Sequence, residues 1–306
     1  MELNKKRYRD LDTYYKLKYN KKIIKLPLDG GFTCPNRDGS LSFCGCIYCS
    51  DDGAGEWTHK SAGDIKKQIA LQKDLLSKKG RQEGYIAYFQ NFTNTYGDIE
   101  SMREMFYTAI NQPDIVGLSI ATRADCLPDD VLDLLKELNQ ETDLTVELGM
   151  QTVNANTLEF INRGYDHKVF DQGVDKLHKL GIKTIAHIII GLPNENEKDY
   201  LKNIDYINKK NIWGIKIHNL YIENNTYLKY YYEKNNIDYK MRKDDYAKIV
   251  VGMLRKLNPN VVINRLTGDG INQNIAYPEW SKNKGAVLST IDKIMKDNNY
   301  QQGDLY

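Results

Sequence analysis

Four of the chain's five cysteines, Cys34, Cys44, Cys46 and Cys49, fall within 16 residues, in the segment GFTCPNRDGSLSFCGCIYCS at 31–50; Cys126 is remote. Cys46 and Cys49 form a C-x2-C pair, a spacing that lets two thiolates converge on one metal centre. Asp38 and Gly39 can turn Cys34 back toward that pair. Three chemistries compete for such a loop. All four thiolates could hold a structural zinc, yet the two-plus-two spacing of zinc ribbons is missing, because three thiols crowd into six residues. A C-x-x-C redox dithiol would sit at a helix start and leave Cys34 without a role. Three thiolates could hold a [4Fe–4S] cluster with one iron left open. Spacing alone leaves all three open. Met1 is followed by Glu2 and then by basic residues rather than an apolar leader, so an intracellular setting is expected, where clustered thiols mean metal or redox chemistry rather than disulfides.

Such residues need a scaffold, and the composition supplies one. The 306 residues are 41% apolar and 10% aromatic, which excludes a chain too polar to fold and allows one enlarged domain or two ordinary ones. A mean hydropathy of −0.60 and the lack of an 18-residue apolar run exclude a helical membrane span. A cytoplasmic globular protein with no membrane partner is expected. The 43 Lys and Arg nearly balance the 41 Asp and Glu, but residues 1–25 hold nine of the former against three acids.

Short β-branched or apolar runs recur at 23–28, 85–90, 115–121, 144–150, 184–190, 214–221 and 261–263. Most gaps carry helical periodicity. Ser61 can cap a helix bearing Ile65, Ile69 and Leu76 and ending at Gly80. Pro128 suits the first turn of a helix with Val131, Leu134, Leu135 and Leu138 inward. Val169, Phe170, Val174 and Leu177 repeat in the same way, as do Tyr200, Leu201, Ile204 and Ile207. Strand–helix units of roughly 30 residues predict a parallel α/β sheet. About 200 residues are short of the roughly 250 of an eight-unit barrel, so a partial (β/α)6 TIM-like barrel fits residues 23–222. Residues 1–22 then form a basic, aromatic N-terminal extension, and 223–306 a C-terminal extension packing on the barrel. Active-site residues are expected just after each strand.

The chain resembles the radical S-adenosylmethionine (radical SAM) superfamily, and more narrowly its YhcC/YtqA-type family, related to the Elongator catalytic subunit. The residues that carry the resemblance are GGFTCPNRDGS and GCIYCS within 30–50, YFQNFTNTY at 88–96, ATRADCL at 121–127 and VELGMQT at 146–152. NRGYDH at 162–167, HIIIGLPNE at 187–195, GIKIHNLYI at 214–222 and INRLTGDG at 263–270 complete the series. The resemblance implies that Cys34, Cys46 and Cys49 hold a [4Fe–4S] cluster, with C-x11-C-x2-C spacing in place of the superfamily's commoner C-x3-C-x2-C. The open iron then takes the amino and carboxylate groups of S-adenosyl-L-methionine (SAM). One electron, from a donor such as flavodoxin or ferredoxin, cleaves SAM to a 5′-deoxyadenosyl radical that abstracts hydrogen from the substrate. That chemistry asks for a dry chamber and close placement. Cys44 departs from the family, which usually has glycine there, and reads as a spare thiol.

The other strand ends supply candidates for SAM and substrate. Gln90 and Asn94 stand where many relatives carry a Gly-Gly-Glu segment for the SAM amino group. Arg123 can meet a carboxylate bidentately, or pair with Asp125. Glu147 and Gln151, four apart, share a strand face and indicate a lined cavity. Gln151 and Arg163 resemble a Gln/Arg pair that contacts SAM in related enzymes. His187 is either a core histidine or a match to a polar residue near SAM. Gly191 would admit the adenine, and Gly53 and Gly55 the cofactors. Lys216 and His218 share a face and are the substrate-side, catalytic candidates; Arg265 and Asp269 would close the mouth.

The substrate is less legible. Nine cations among Tyr8, Tyr14, Tyr15 and Tyr19 in the first 25 residues, and a Lys/Tyr-rich stretch over 209–243, suit RNA through phosphate contacts and base stacking; a solvated surface is the plain alternative. The Elongator-like resemblance implies tRNA, at the C5 substituent of wobble uridine, where carboxymethylaminomethyl becomes aminomethyl. A small metabolite or peptide substrate, and a zinc-stabilised RNA-binding module without catalysis, are the competing functions.

Overall fold

Strand and helix alternate along most of the chain. The computed structural model describes residues 6–50, 53, 58, 64–77, 83–268, 270–271 and 273–306. Helix α1 (Leu11–Tyr19) leads into β1 (Ile23–Leu28). There follow α2 (Ile65–Ser77), β2 (Gly84–Phe89), α3 (Ile99–Ile110), β3 (Ile115–Thr122), α4 (Asp129–Glu141) and β4 (Asp143–Gln151). Then come α5 (Ala155–Phe160), α6 (His167–Lys179), β5 (Lys183–Ile190), α7 (Glu197–Lys209) and β6 (Gly214–Asn219). The chain ends with β7 (Ile222–Glu223), α8 (Tyr227–Lys234), α9 (Lys243–Lys256), β8 (Val262–Arg265), β9 (Ile275–Tyr277) and α10 (Lys284–Asp297).

Seven strands form one parallel sheet in the order β1-β2-β3-β4-β5-β6-β8, while β7 and β9 pair antiparallel at the side. The six expected units are therefore present, and a seventh strand from the C-terminal segment extends the edge at β6. The middle strands are buried along most of their length, which is why they read as nearly unbroken apolar runs. Helices cover the outside with the predicted faces: Val131, Leu134, Leu135 and Leu138 of α4 point inward. In α6, Phe170, Val174 and Leu177 do so, while Val169 is only half-buried. Pro128 precedes α4 as its N-cap. Ser61 and Gly80 lie outside the described residues; Asp64 accepts from the Lys67 amide at 2.9 Å just ahead of α2.

The sheet curls into a partial barrel. In a flat sheet β1 and β6 would lie five strand spacings apart, roughly 24 Å. Here Lys25 of β1 and Lys216 of β6 both reach the carboxylate of Glu147 on β4. Side chains from strands so far apart meet at one carboxylate only if the sheet wraps around it.

Helix α1 crosses the N-terminal ends of the strands. Tyr19 Oη donates to Asp143 at 2.6 Å, Lys18 pairs with the same carboxylate at 2.6 Å, and Tyr14 packs edge-on against Trp213. Tyr8 and Tyr15 are buried. The aromatic rings that make residues 1–25 look like an RNA footprint are thus occupied in packing, at the end of the barrel opposite the C-terminal ends of the strands, and Lys25 runs into the interior.

Phe106 of α3 is fully buried, edge-on to Phe89 of β2 at 5.0 Å. Phe106→Ala is expected to cost about 3–5 kcal/mol, read as a lowered urea midpoint at unchanged slope.

Candidate active site

The loop after β1 is shaped by its own backbone. Amides of Arg37 and Asp38 donate to Cys34 O (2.8 and 3.2 Å), Gly45 N to Asn36 O (2.6 Å) and Cys49 N to Cys46 O (3.0 Å). Arg37 Nη2 donates to the carbonyls of Cys49 and Ser50. The loop is tied outward at two places: Ile47 N to Ile161 O, and Leu228 N, at the start of α8, to Ile47 O. Two side-chain amides join the loop to Asn162: Asn36 Nδ2 donates to Asn162 O, and Asn162 Nδ2 donates to Gly45 O.

Cys34, Cys46 and Cys49 line a cavity of about 250 Å³ at the C-terminal ends of the strands. Cys44 is exposed and is not part of its wall. The donor set fits an iron–sulfur cluster. Three thiols face one chamber, and two N–H groups approach their sulfurs: Asn36 Nδ2 at 3.7 Å from Cys46 Sγ, and Arg123 Nη1 at 4.0 Å from Cys34 Sγ. The hydrogen bond from Cys49 pulls the Cys46 thiol down to about 7 against its burial. Among the described residues no three His, Cys, Asp or Glu side chains are grouped to hold a single metal ion. A four-thiolate zinc site would need Cys44 on the same wall.

Beside the cysteines stand the strand ends. Gln90, Thr93, Arg123, Gln151, Arg163 and Tyr165 line the cavity. Arg123 is held by Asp125 through two bonds of 2.9 and 2.7 Å, so its fork is already occupied. Arg163 is 1% exposed and donates to the carbonyls of Tyr165 and Met150. Burial pushes its guanidinium below the usual arginine range. Gln151 adopts φ 56 at a bulge in β4; with its side-chain amide assigned the orientation that satisfies both ends, its nitrogen donates to Gly149 O at 2.7 Å and its oxygen accepts from Tyr48 Oη at 3.3 Å. Two glycines make this packing possible. A Cβ on Gly149 would meet the Gln151 amide at 2.4 Å, and Gly164, at φ +87, lies under Asn36 and Arg123.

The cavity floor is a charged hub around Glu147, a residue 1% exposed. Its Oε1 accepts from Lys25 Nζ at 2.6 Å and Ser119 Oγ at 2.8 Å. Its Oε2 accepts from His187 Nε2 at 2.6 Å and Tyr88 Oη at 3.1 Å, and pairs with Lys216. Lys216 also donates to Tyr88 Oη at 2.9 Å. Burial opposes the carboxylate charge, but Lys216 and Lys25 hold Glu147 well below the usual range. Burial, with Lys25 and Arg265, brings Lys216 down to about 7. Burial and Lys216 lower His187 to about 4, so it is neutral at pH 7 and donates to Glu147. His218 lines the same floor, and among the described residues no hydrogen-bond partner reaches its buried Nε2.

Three expectations are corrected. Asn94 is absent from the cavity wall: its amide donates to Asn91 O and Ala121 O, fastening the end of β2 to β3. Gly191 also lies off the wall, among Tyr239, Leu220 and Met241. Glu147 is not held free for a cofactor; five side chains already bind it. Gly53 and Arg265 line the cavity, while Gly55 and Asp269 lie outside the described residues. Lys25, Tyr88 and Glu223 are site residues that pattern reasoning passes over. A lysine inside an apolar strand was the available signal for Lys25.

Residues 33–207 match the Radical SAM superfamily, and residues 212–297 match the Radical_SAM C-terminal domain. The chain therefore belongs to the radical SAM superfamily, whose members use a [4Fe–4S] cluster and SAM. It is 40% identical to Uncharacterized protein YtqA of Bacillus subtilis (strain 168), across 98% of this chain and 93% of that one. It is 32% identical to Protein YhcC of Escherichia coli (strain K12), across 93% and 91%. A partial similarity, 25% over 47% of this chain and 34% of the other, links it to tRNA-2-methylthio-N(6)-dimethylallyladenosine synthase of Fusobacterium nucleatum. Among solved structures, Elp3 of Methanocaldococcus infernus superposes with a TM-score of 0.68 at 16% identity, over 92% of this chain but only 64% of that one. Among the described residues no helix is long and apolar enough to cross a membrane.

Removing the hub's anion leaves Lys25 and Lys216 without the carboxylate they share. Glu147→Gln is expected to cost about 3–5 kcal/mol in urea unfolding, and adding Lys25→Met to recover part of it. Equal stability of Glu147→Gln and the parent protein would refute the hub.

Proposed function

We propose that the cavity is the chamber of a radical SAM enzyme that modifies tRNA in the cytoplasm, at the C5 substituent of wobble uridine. The observation that carries the enzymatic part is the sorting of four neighbouring thiols, with Cys34, Cys46 and Cys49 on the cavity wall and Cys44 exposed outside it. In this reading those three cysteines hold the cluster. Once reduced by a small electron-transfer protein of the flavodoxin or ferredoxin kind, the cluster and SAM together supply a hydrogen-abstracting radical.

The chain's own residues then do the positioning. Arg163, buried and bonded to carbonyl groups, offers its charge to the SAM carboxylate, with Gln151 and Gln90 beside it. Arg123, pinned by Asp125, keeps its free Nη1 toward Cys34 and offsets the thiolate charge. His187 and Glu147 fix Lys216 and Tyr88 at the floor. Lys216, brought near 7, can hold or release a proton at Nζ close to neutral pH, beside His218. The wall of Phe92, Ile189 and Leu220 keeps water from the reacting atoms.

Support for RNA comes from the rim. Helix α8 is tied to the cysteine loop through Leu228, and it presents Tyr227 and Tyr230, 59% and 52% exposed, together with Lys234, while Lys229 pairs with Glu233. Exposed rings among cations can stack bases and meet phosphates. The partial similarity to a tRNA-modifying synthase points the same way.

Two outcomes are expected. After anaerobic reconstitution, Cys46→Ala loses iron and sulfide while Cys44→Ala keeps them; equal loss in both would refute the ligand assignment. Mass spectra of wobble nucleosides from cells lacking the gene should show the unconverted C5 substituent, and unchanged nucleosides would refute the tRNA reading.

A further inference from the structure

Glu223 takes no part in the hub around Glu147. It is the second residue of β7, two strand residues that follow closely on β6, and it lies on the cavity wall that Tyr221 and Arg265 also line. Only 3% of the residue is exposed, and among the described residues no donor reaches its buried Oε1. The contrast with Glu147 is direct. Both are buried carboxylates on one cavity; one receives five side chains, and the other leaves an acceptor oxygen without a partner.

The backbone around Glu223 is firmly placed. Glu223 pairs with Ile275 of β9, and its carbonyl accepts from Thr226 Oγ1 at 2.9 Å. On the neighbouring segment Asn219 Oδ1 is satisfied by Thr267 Oγ1 and Gly268 N. Local slack therefore does not explain the missing donor. A buried acceptor left unpaired lowers stability, and such a group persists where a bound molecule supplies the partner.

We infer that Glu223 is a ligand-binding residue whose carboxylate accepts from an ammonium or hydroxyl group of the molecule held in the cavity. The inference rests on the reading of the cavity as the SAM and substrate chamber. SAM carries both an ammonium and ribose hydroxyls, and a nucleoside substrate carries hydroxyls, so one chemistry has two possible sources.

Three measurements on Glu223→Gln and Glu223→Leu decide the matter. The first is the melting temperature of ligand-free protein. Removing an unpaired buried carboxylate is expected to raise it in Glu223→Leu, by about 2 °C or more. A value at or below the parent's in both variants, or failure of both to fold, makes the carboxylate structural and overturns the inference. The second is SAM affinity of the reconstituted protein by equilibrium dialysis. A loss of tenfold or more in Glu223→Gln assigns the donor to SAM. The third is 5′-deoxyadenosine formation with total tRNA from a strain lacking the gene. A tenfold loss of the tRNA-stimulated rate, with SAM affinity within twofold of the parent's, assigns the donor to the substrate. Both readouts within twofold would overturn the inference. Absence of tRNA stimulation in the parent protein would refute the tRNA reading, and SAM affinity and melting temperature would then decide Glu223 alone.

Discussion

One buried carboxylate sets the shape of this molecule's functional end. Glu147 accepts from side chains on β1, β2, β3, β5 and β6, and those strands can reach one point only if the sheet bends around it. A parallel sheet with apolar faces could equally lie flat between two layers of helices. Curvature brings the strand ends around a chamber, and an ionic hub tolerates only arrangements that satisfy all its members. Apolar packing drives the collapse, and the hub narrows the permitted geometry.

The chamber divides along its depth. At the mouth, the loop after β1 places three thiols where N–H groups of Asn36 and Arg123 approach them. On the floor, two lysines, a histidine, a tyrosine and a serine bind a carboxylate, and His218 lines the same floor. The mouth suits anionic sulfur chemistry, since donors aimed at thiolates stabilise negative charge there. The floor suits proton traffic, because burial has moved Lys216 close to neutrality while Glu147 stays ionised. The arrangement thus keeps the thiols and the charged hub apart within one cavity.

Much of this was legible in the residues. The seven strands fall where β-branched runs recur, since strands buried on both faces must be continuously apolar. Spacing combined with resemblance singles out Cys34, Cys46 and Cys49, the three thiols that line the cavity. What escaped depends on direction. Lys25 counts as one more cation in a basic N-terminal stretch, until the strand turns it inward to Glu147. The tyrosines near it look like stacking platforms, until α1 packs them beneath the barrel. Asn94 and Gln90 are equally polar at one strand end, and composition cannot say that one amide bonds backbone while the other faces the cavity. Glu223 sits in a two-residue strand with no periodicity, so only burial reveals it.

β4 joins the two ends of the chamber. Glu147 lies in its regular part, paired with Ala121 and Ile185 on the neighbouring strands. Four residues later Gln151 takes a left-handed backbone conformation that side chains avoid unless their surroundings enforce it. The register shift at Gly149 makes room, and the Gln151 amide then spans from the β4 backbone to Tyr48, between Cys46 and Cys49. A strand that ran straight would have carried Gln151 past the loop. The left-handed turn at this one residue therefore adds a contact from the strand that holds the hub to the cysteine loop, beside the loop's ties to Ile161, Asn162 and Leu228.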